Sequence, residues 1–377
     1  MNQTRLKCPR GTFILHRLPR RRRETLRAWD AADEYLLNTL GPVSDTQQNV
    51  LIVNDAFGAL SVALSDCKVQ NWSDSWLAHE ACRQNLAHNG LPPGSVEYVD
   101  SLQTPQAPLD IVLIKIPKTL ALLEYQLLQL RPLLSADSRI LLAGMTRAMP
   151  SSLWKMLEAI IGPTQTRPAI KKAKLIELRL DDSLYPPPNR FPVCWPLPDS
   201  GLEICNHANV FSRDRLDIGA RFMLQHLPPT EGAGDIIDLG CGNGVLGLMA
   251  AVQNPQATVH FVDESYMALA SARANCAQLE QAEQRCRFHI GDGLAGFAEA
   301  SADLILCNPP FHQQQAIGDA VALAMFRHSA RVLRAGGELI VIGNRHLGYH
   351  KKLKSYFNHV EVIASNPKFV ILRGRLG

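Results

Sequence analysis

The chain has 377 residues, 46% of them apolar and 20% charged, with a formal net charge of +4, enough to bury the cores of two domains. No apolar run approaches the roughly 20 residues that cross a bilayer, and the opening segment is arginine-rich rather than apolar, which argues against a membrane or secretory protein and for a cytoplasmic one. Nine cysteines, an odd number without a C-x-x-C pair, read as reduced buried thiols rather than a disulfide frame or a zinc site, so no metal is expected.

The charge is unevenly spread. The first 27 residues hold nine basic side chains and one acid, with Arg20, Arg21, Arg22 and Arg23 in a row. Such a head suits a polyanionic partner or stays a solvated tail. Beyond it, "VLIVNDAFGALSVAL" (50–64) reads as a strand, a turn and a helix, "SDSWLAHEACRQNL" (73–86) as a helix, and "DIVLIKIPK" (110–118) and "SRILLAG" (138–144) as strands. Residues 185–198 carry six prolines and suit a stiff connector or an opening edge strand.

The order then recurs. "GDIIDLG" (234–240) is a buried strand leading into a helix, "ATVHFVDES" (257–265) a second strand followed by the helix "YMALASARANCAQL", and "CRFHIGDG" and "ADLILCNPP" the third and fourth strands. "FRHSARVLRAGGELIVIGN" (326–344) reads as a helix, a Gly-Gly turn and a fifth strand. Segments of the two halves match in sequence order, with Arg83 and Asn85 falling on Arg273 and Asn275. The expected fold is α/β, a duplicated doubly wound sheet, with domains at 1–185 and 186–377.

In the second copy, Gly240, Gly242 and Gly244 crowd a strand-to-helix turn around Asn243. Glycines there let the backbone approach a ligand, although plain turns share the pattern. Asp238 before the turn, Asp263 and Glu264 after the second strand and Asp292 after the third each end a strand. Singly these acids are caps or solvated turn residues; in register they point to a cofactor, with ribose hydroxyls on Asp263 or Glu264 and an ammonium or its water on Asp238. The fourth strand runs into "NPPFH" (308–312), where two prolines discard two backbone donors and fix two φ angles.

Together these motifs resemble the class I S-adenosylmethionine-dependent methyltransferases, whose seven-stranded sheet ends antiparallel. The resemblance implies that Asn308, through its side-chain oxygen, and Pro309, through its carbonyl, accept the hydrogens of an exocyclic amine, that Pro310 stiffens the turn, and that Phe311 stacks on the ring. The first copy has lost this equipment: Ile52, Asn54 and Ala56 stand where Asp238, Gly240 and Gly242 should be, and Lys115 where Asn308 should be. A decayed copy before an intact one resembles the tandem-domain ribosomal RNA guanine-N2 methyltransferases of bacteria, over essentially the whole chain. That family has a Phe and a Leu-Asp-x-Gly before its core, here Phe211 and Gly219 in "NVFSRDRLDIGARFML" (209–224), lining the pocket. The opening "AWDAADEYLL" and "VLIVNDAFGALS" look most like its large-subunit branch.

The resemblance implies S-adenosylmethionine as cofactor and the N2 of a guanine in large-subunit (23S) ribosomal RNA as target, with small-subunit RNA or a protein glutamine as alternatives. The first domain would recognise RNA through Arg20–Arg23, Arg27, Lys171, Lys172 and Lys174, in a monomer with no membrane partner.

Overall fold

Apolar runs buried on both sides and repeated helix caps lay down one plan twice. The computed structural model describes residues 4–20, 24–42, 45–227, 232–310 and 315–377, with only the backbone of 315–318. It divides into two compact units, Met1–Phe191 and Pro192–Gly377, and the division falls inside the proline-rich stretch.

The first unit opens with the antiparallel hairpin β1 (Arg5–Cys8) and β2 (Gly11–Ile14), then α1 (Ala31–Leu40). Its sheet is built by β3 (Asn49–Val53), α2 (Ala59–Ala63), β4 (Lys68–Ser73), α3 (Trp76–His88), β5 (Val96–Asp100), β6 (Ile111–Lys115), α4 (Leu120–Leu130), β7 (Arg139–Met145), α5 (Ser152–Ile160), β8 (Thr164–Thr166) and β9 (Ala173–Leu178). The strand order is β5-β4-β3-β6-β7-β9-β8, with only β9 and β8 antiparallel to their neighbours.

The second unit opens with the hairpin β10 (Val193–Pro196) and β11 (Glu203–Asn206) and the helix α6 (Ile218–Leu224). There follow β12 (Asp235–Leu239), α7 (Val245–Gln253), β13 (Thr258–Asp263), α8 (Tyr266–Cys276), α9 (Ala282–Arg285), β14 (Cys286–Ile290), β15 (Ala302–Cys307), α10 (Gln315–Val332), β16 (Leu333–Asn344), α11 (Tyr349–Leu353), β17 (His359–Ser365) and β18 (Phe369–Arg375). The order β14-β13-β12-β15-β16-β18-β17 is that of the first unit, strand for strand.

Alternation along each strand divides the second core into two faces. Ile236, Leu304, Leu306, Ile340 and Ile342 pack with α6, α7 and α8. Ile237, Leu239, Ile305, Cys307, Leu339 and Val341 pack with α10 and α11. Ser75 and Ser265 cap α3 and α8 alike, each accepting a hydrogen bond from the amide three residues on at 3.1 Å. Gly58 and Gly244, at φ 77° and 76°, open α2 and α7. A Cβ on either would come within 2.7–2.8 Å of Cys82 or Ala272 on the next helix, so no other residue fits there.

Two expectations are corrected. The Gly-Gly pair does not stand between helix and strand: Gly336 and Gly337 lie inside the span of β16, in a bulge where Gly336 is left-handed at φ 76° and the register shifts against β15 between Ala302 and Leu304. Nor are all nine cysteines thiols. Cys194 and Cys205 are opposite each other in the β10–β11 register, 4.1 Å apart at Cα, and form a disulfide. Cross-strand opposition creates that pair, and a sequence separation of 11 carries no sign of it. Among the described residues one group of potential metal ligands lies together, Cys194, Glu203 and Cys205, and two of the three are tied in that bridge. No described helix is long and apolar enough to cross a membrane.

Candidate active site in the second unit

The glycine turn between β12 and α7 is held from behind. Gly240 and Gly242 take φ of 70° and 54°, and a Cβ built on Gly242 would meet nothing within 4 Å. The turn therefore presents bare, open backbone. Asn243 is buried, its Nδ2 donating to Asn206 Oδ1 at 3.0 Å and its Oδ1 accepting from the Val245 amide at 3.2 Å. Both ends of the Asn243 side chain thus serve the protein. Asn275 on α8 clasps the same loop: its Nδ2 donates to the Asn243 carbonyl (2.9 Å) and the Cys205 carbonyl (3.1 Å), and its Oδ1 accepts from the Cys205 amide (2.7 Å).

The acids sit at the strand ends. Asp263 accepts the Gly242 amide on one oxygen at 2.9 Å and the Ser265 amide on the other at 3.0 Å, fixing the turn to the end of β13. Glu264 follows it, half-buried. Asp238 is 1% exposed and accepts the Gly247 amide at 2.8 Å. Burial pushes its carboxyl up to about 7, opposed by the Gly247 hydrogen bond and helped by the charge of Asp263. Asp238 and Asp263 act on each other's charge beside open backbone, and with no cation bonded to Asp238 among the described residues the place favours a positively charged ligand. Asp292 lies in the loop after β14, between Gly291 and Gly293, close enough to His328 to act on its charge.

Asn308 follows directly on β15, the strand beside β12. Its Oδ1 is buried and has no hydrogen-bond partner among the described residues. Pro309 is buried and Pro310 exposed; Phe311 lies outside the described residues. A buried acceptor without a donor costs about 1–3 kcal/mol, so it marks a place where a donor from outside belongs. Phe211, 55% exposed, lies in the turns before α6. Gly219 is in the first turn of α6, where a Cβ would come within 2.9 Å of Asp217 Oδ2, the oxygen that accepts the Ala220 amide and caps the helix. Its smallness serves that cap.

Residues 3–182 match the family described as RLMG N-terminal domain, and residues 201–373 the Methyltransferase small domain. The chain is 49% identical over 367 residues to the ribosomal RNA large subunit methyltransferase G of Pseudomonas aeruginosa (strain PAO1), covering 97% of this chain and 98% of that protein. It is 46% identical over 377 residues to the protein of that name from Streptomyces coelicolor, covering 98% and 99%. The chain belongs to the ribosomal RNA large subunit methyltransferase G family. A T. thermophilus 16S rRNA guanine-N2 methyltransferase, solved with AdoMet and guanosine, shares its fold, with a TM-score of 0.78 at 22% identity over 99% of this chain and 98% of that one. The fold of the family is thus two tandem methyltransferase domains.

Within this family member the first unit has the same frame with its site filled from inside. Asn54 keeps the left-handed backbone of Gly240, at φ 63°. Asp55, 1% exposed, accepts the amides of Ala59, Leu60 and Ser61 and the Ser61 hydroxyl at 2.8–3.1 Å. The first amides of α2 are therefore held by one buried carboxylate, where the second unit divides the Val245 and Gly247 amides between Asn243 and Asp238. Lys115, at the place of Asn308, is ion-paired with Asp30 (2.7 Å) and Asp33 (2.8 Å) of the α1 segment. Burial and the proximity of Asp30 push the Asp33 carboxyl up to about 6 against the pull of Lys115. Asn85 repeats the Asn275 clasp, on His16 and the Phe57 carbonyl.

The residues expected to meet RNA are only partly gathered. Arg27 and Lys171 share Glu34, at 3.3 and 2.7 Å. Lys172 is exposed beside Lys171, and Lys174 lies over the Trp154 ring at 5.6 Å. Arg20 donates to His88 Nε2 at the end of α3, and Arg21–Arg23 lie outside the described residues. No sequence signal singled out Asp55, Asp30 or Asp33, and the Asp217 of the Leu-Asp-x-Gly run is a helix cap. The match of Asn85 with Asn275 was such a signal: a buried amide shared by both copies braces a loop in each.

Proposed function

We propose that this chain transfers a methyl group from S-adenosylmethionine to the exocyclic N2 of a guanine in large-subunit ribosomal RNA. The observation that carries this reading is the buried, unpartnered Asn308 Oδ1 beyond β15, followed by two prolines. Bound S-adenosylmethionine supplies an electrophilic methyl group on a positively charged sulfur. A ring-conjugated amine is a poor nucleophile because its lone pair is delocalised. Asn308 Oδ1 accepts one amine hydrogen and the Pro309 carbonyl the other, which favours pyramidal nitrogen and steadies its growing positive charge. Pro309 and Pro310 hold that carbonyl with little reorganisation, while Phe311 and Phe211 offer aromatic surface to the base.

On this reading the backbone of Gly240, Gly242 and Gly244 lies along the cofactor, braced by Asn243. The carboxylates of Asp263, Glu264 and Asp292 hold its polar edges, Asp238 favours its positive charge, and Gly219, by leaving the Asp217 cap intact, keeps the start of α6 in place beside it. The first unit contributes phosphate contacts through Arg20–Arg23, Arg27, Lys171, Lys172 and Lys174, and the enzyme is a cytoplasmic monomer. Relatives at 46–49% identity bear the name of a large-subunit methyltransferase, which favours that RNA over the small-subunit one. The test is methylguanine mapping by mass spectrometry in ribosomal RNA from a deletion strain complemented with wild-type chain or Asn308→Ala. One large-subunit N2-methylguanine should vanish, return with wild type and stay absent with Asn308→Ala. Its persistence in the deletion strain, or its return with Asn308→Ala, would refute the assignment.

A further inference from the structure

Asn308 has a companion. Among the described residues, the side-chain oxygen of Asn344 is also buried and without a hydrogen-bond partner. Asn344 ends β16, the parallel neighbour of β15. The last rung between these strands pairs Cys307 with Val341, so Asn308 and Asn344 lie just beyond it, at the carboxyl ends where ligands of such sheets bind. They also share a face. Leu304, Leu306, Ile340 and Ile342 all point to the side of α6, α7 and α8, and the period of two carries Asn308 and Asn344 to that same side. With strands about 4.8 Å apart and a rise of about 3.3 Å per residue, their Cα atoms stand roughly 8 Å apart. The first turn of α6 covers the spot: a Cβ on Gly219 would come within 3.5 Å of Phe369, the partner of Asn344 across the sheet, and 3.6 Å of Ile342.

The copy without the site differs here. Met145 ends β7 opposite Ala173, the place that Asn344 takes opposite Phe369. A thioether thus stands where the second unit holds an unsatisfied amide oxygen.

Resting on the function proposed above, we infer that Asn344 is a specificity residue that reads the base, its Oδ1 accepting the N1–H of guanine while Asn308 accepts from N2. In guanine these donors are on adjacent ring atoms, and two acceptors on one wall match them. Adenine turns a lone pair from N1 toward the same wall, which would face Asn344 Oδ1 with nothing between, so it is rejected. 2-Aminopurine keeps the reactive 2-amine but has the same bare N1.

The experiment compares guanosine with 2-aminopurine riboside as competitors of RNA methylation by the full chain, in wild type, Asn344→Ala and Asn344→Asp. Wild type should prefer guanosine roughly ten- to hundredfold, the value of one buried acceptor left unpaired. Asn344→Ala should lose most of that preference by weakening guanosine alone, at unchanged S-adenosylmethionine affinity, and Asn344→Asp, which keeps an acceptor, should regain part of it. Equal weakening of both nucleosides in Asn344→Ala, or an unchanged preference, would overturn the inference. Asn308→Ala separates the two claims: if it still methylates RNA, the underlying assignment fails, whatever Asn344 does.

Discussion

Replacing Asn275 by alanine should loosen the second unit and its ligand site together. The side chain is 1% exposed and makes three hydrogen bonds, to the amide and carbonyl of Cys205 and the carbonyl of Asn243. Removing it strands three backbone groups, at about 1 kcal/mol each where water reaches them and more where it does not, so the second unit should lose about 3–5 kcal/mol. The freed glycine turn must then be ordered by the ligand, at about 1–2 kcal/mol for one residue, so S-adenosylmethionine affinity should fall roughly tenfold. Asn85→Ala is the internal control, because it deletes the same three bonds in the first unit. Hydrogen exchange read by mass spectrometry should place each loss of protection in its own unit, and calorimetry should register a weaker ligand only for Asn275→Ala. An unchanged affinity in Asn275→Ala, or an equal fall in Asn85→Ala, would refute the brace.

Asp238 sets a pH dependence. Its folded pKa of about 7 lies above the ordinary 3.8 of an exposed aspartate, so between these values the folded second unit holds a proton that the unfolded chain has released. Stability from this group should be fully present below pH about 4 and decline until about pH 7; Asp238→Asn should flatten that part of a ligand-free melting profile. A cationic ligand favours the ionised form, so calorimetry should find S-adenosylmethionine binding tighter at pH 8 than at pH 6, with proton release. Lys115→Met should strand Asp30 and Asp33, destabilise the first unit by about 3–5 kcal/mol and leave ligand affinity unchanged; recovery in Lys115→Met/Asp33→Asn would identify the stranded charge as the cause. Arg27→Ala and Lys172→Ala should each reduce the salt slope of RNA binding by up to about one unit, Arg27 less because Glu34 already half-neutralises it.

What could be read beforehand was whatever repeats or is local. Buried strands such as 50–53 and 236–239 announce themselves by continuous apolar residues, and the duplication followed from their order. Gly244 and Gly58 marked helix starts, and Asn308 stood out because prolines after an amide need a reason. Contacts distant in sequence stayed hidden. Nothing local in the sequence marks Asp55, and only the fold shows three helix amides on it. Lys115 was seen to be wrong for an amine, but its pairing with Asp30 spans 85 residues. The place of the Gly-Gly pair within β16 stayed hidden because a register shift depends on the neighbouring strand. The sequence lists the basic residues without their partners, and in the fold Arg27 and Lys171 are both paired with Glu34.

The filled site of the first unit has a bearing on what the cell must supply. The Lys115 pairs with Asp30 and Asp33 satisfy from within the place that the second unit leaves open at Asn308. One half of the molecule is thus complete at the end of translation, while the other gains stability with its small-molecule supply, by about 2.7 kcal/mol at a hundred times the dissociation constant. Starved of that metabolite, the chain should become a hybrid, with a firm amino-terminal half joined to a catalytic half more open to proteases. Abundance of the enzyme would then follow the methyl-donor level without any dedicated sensor.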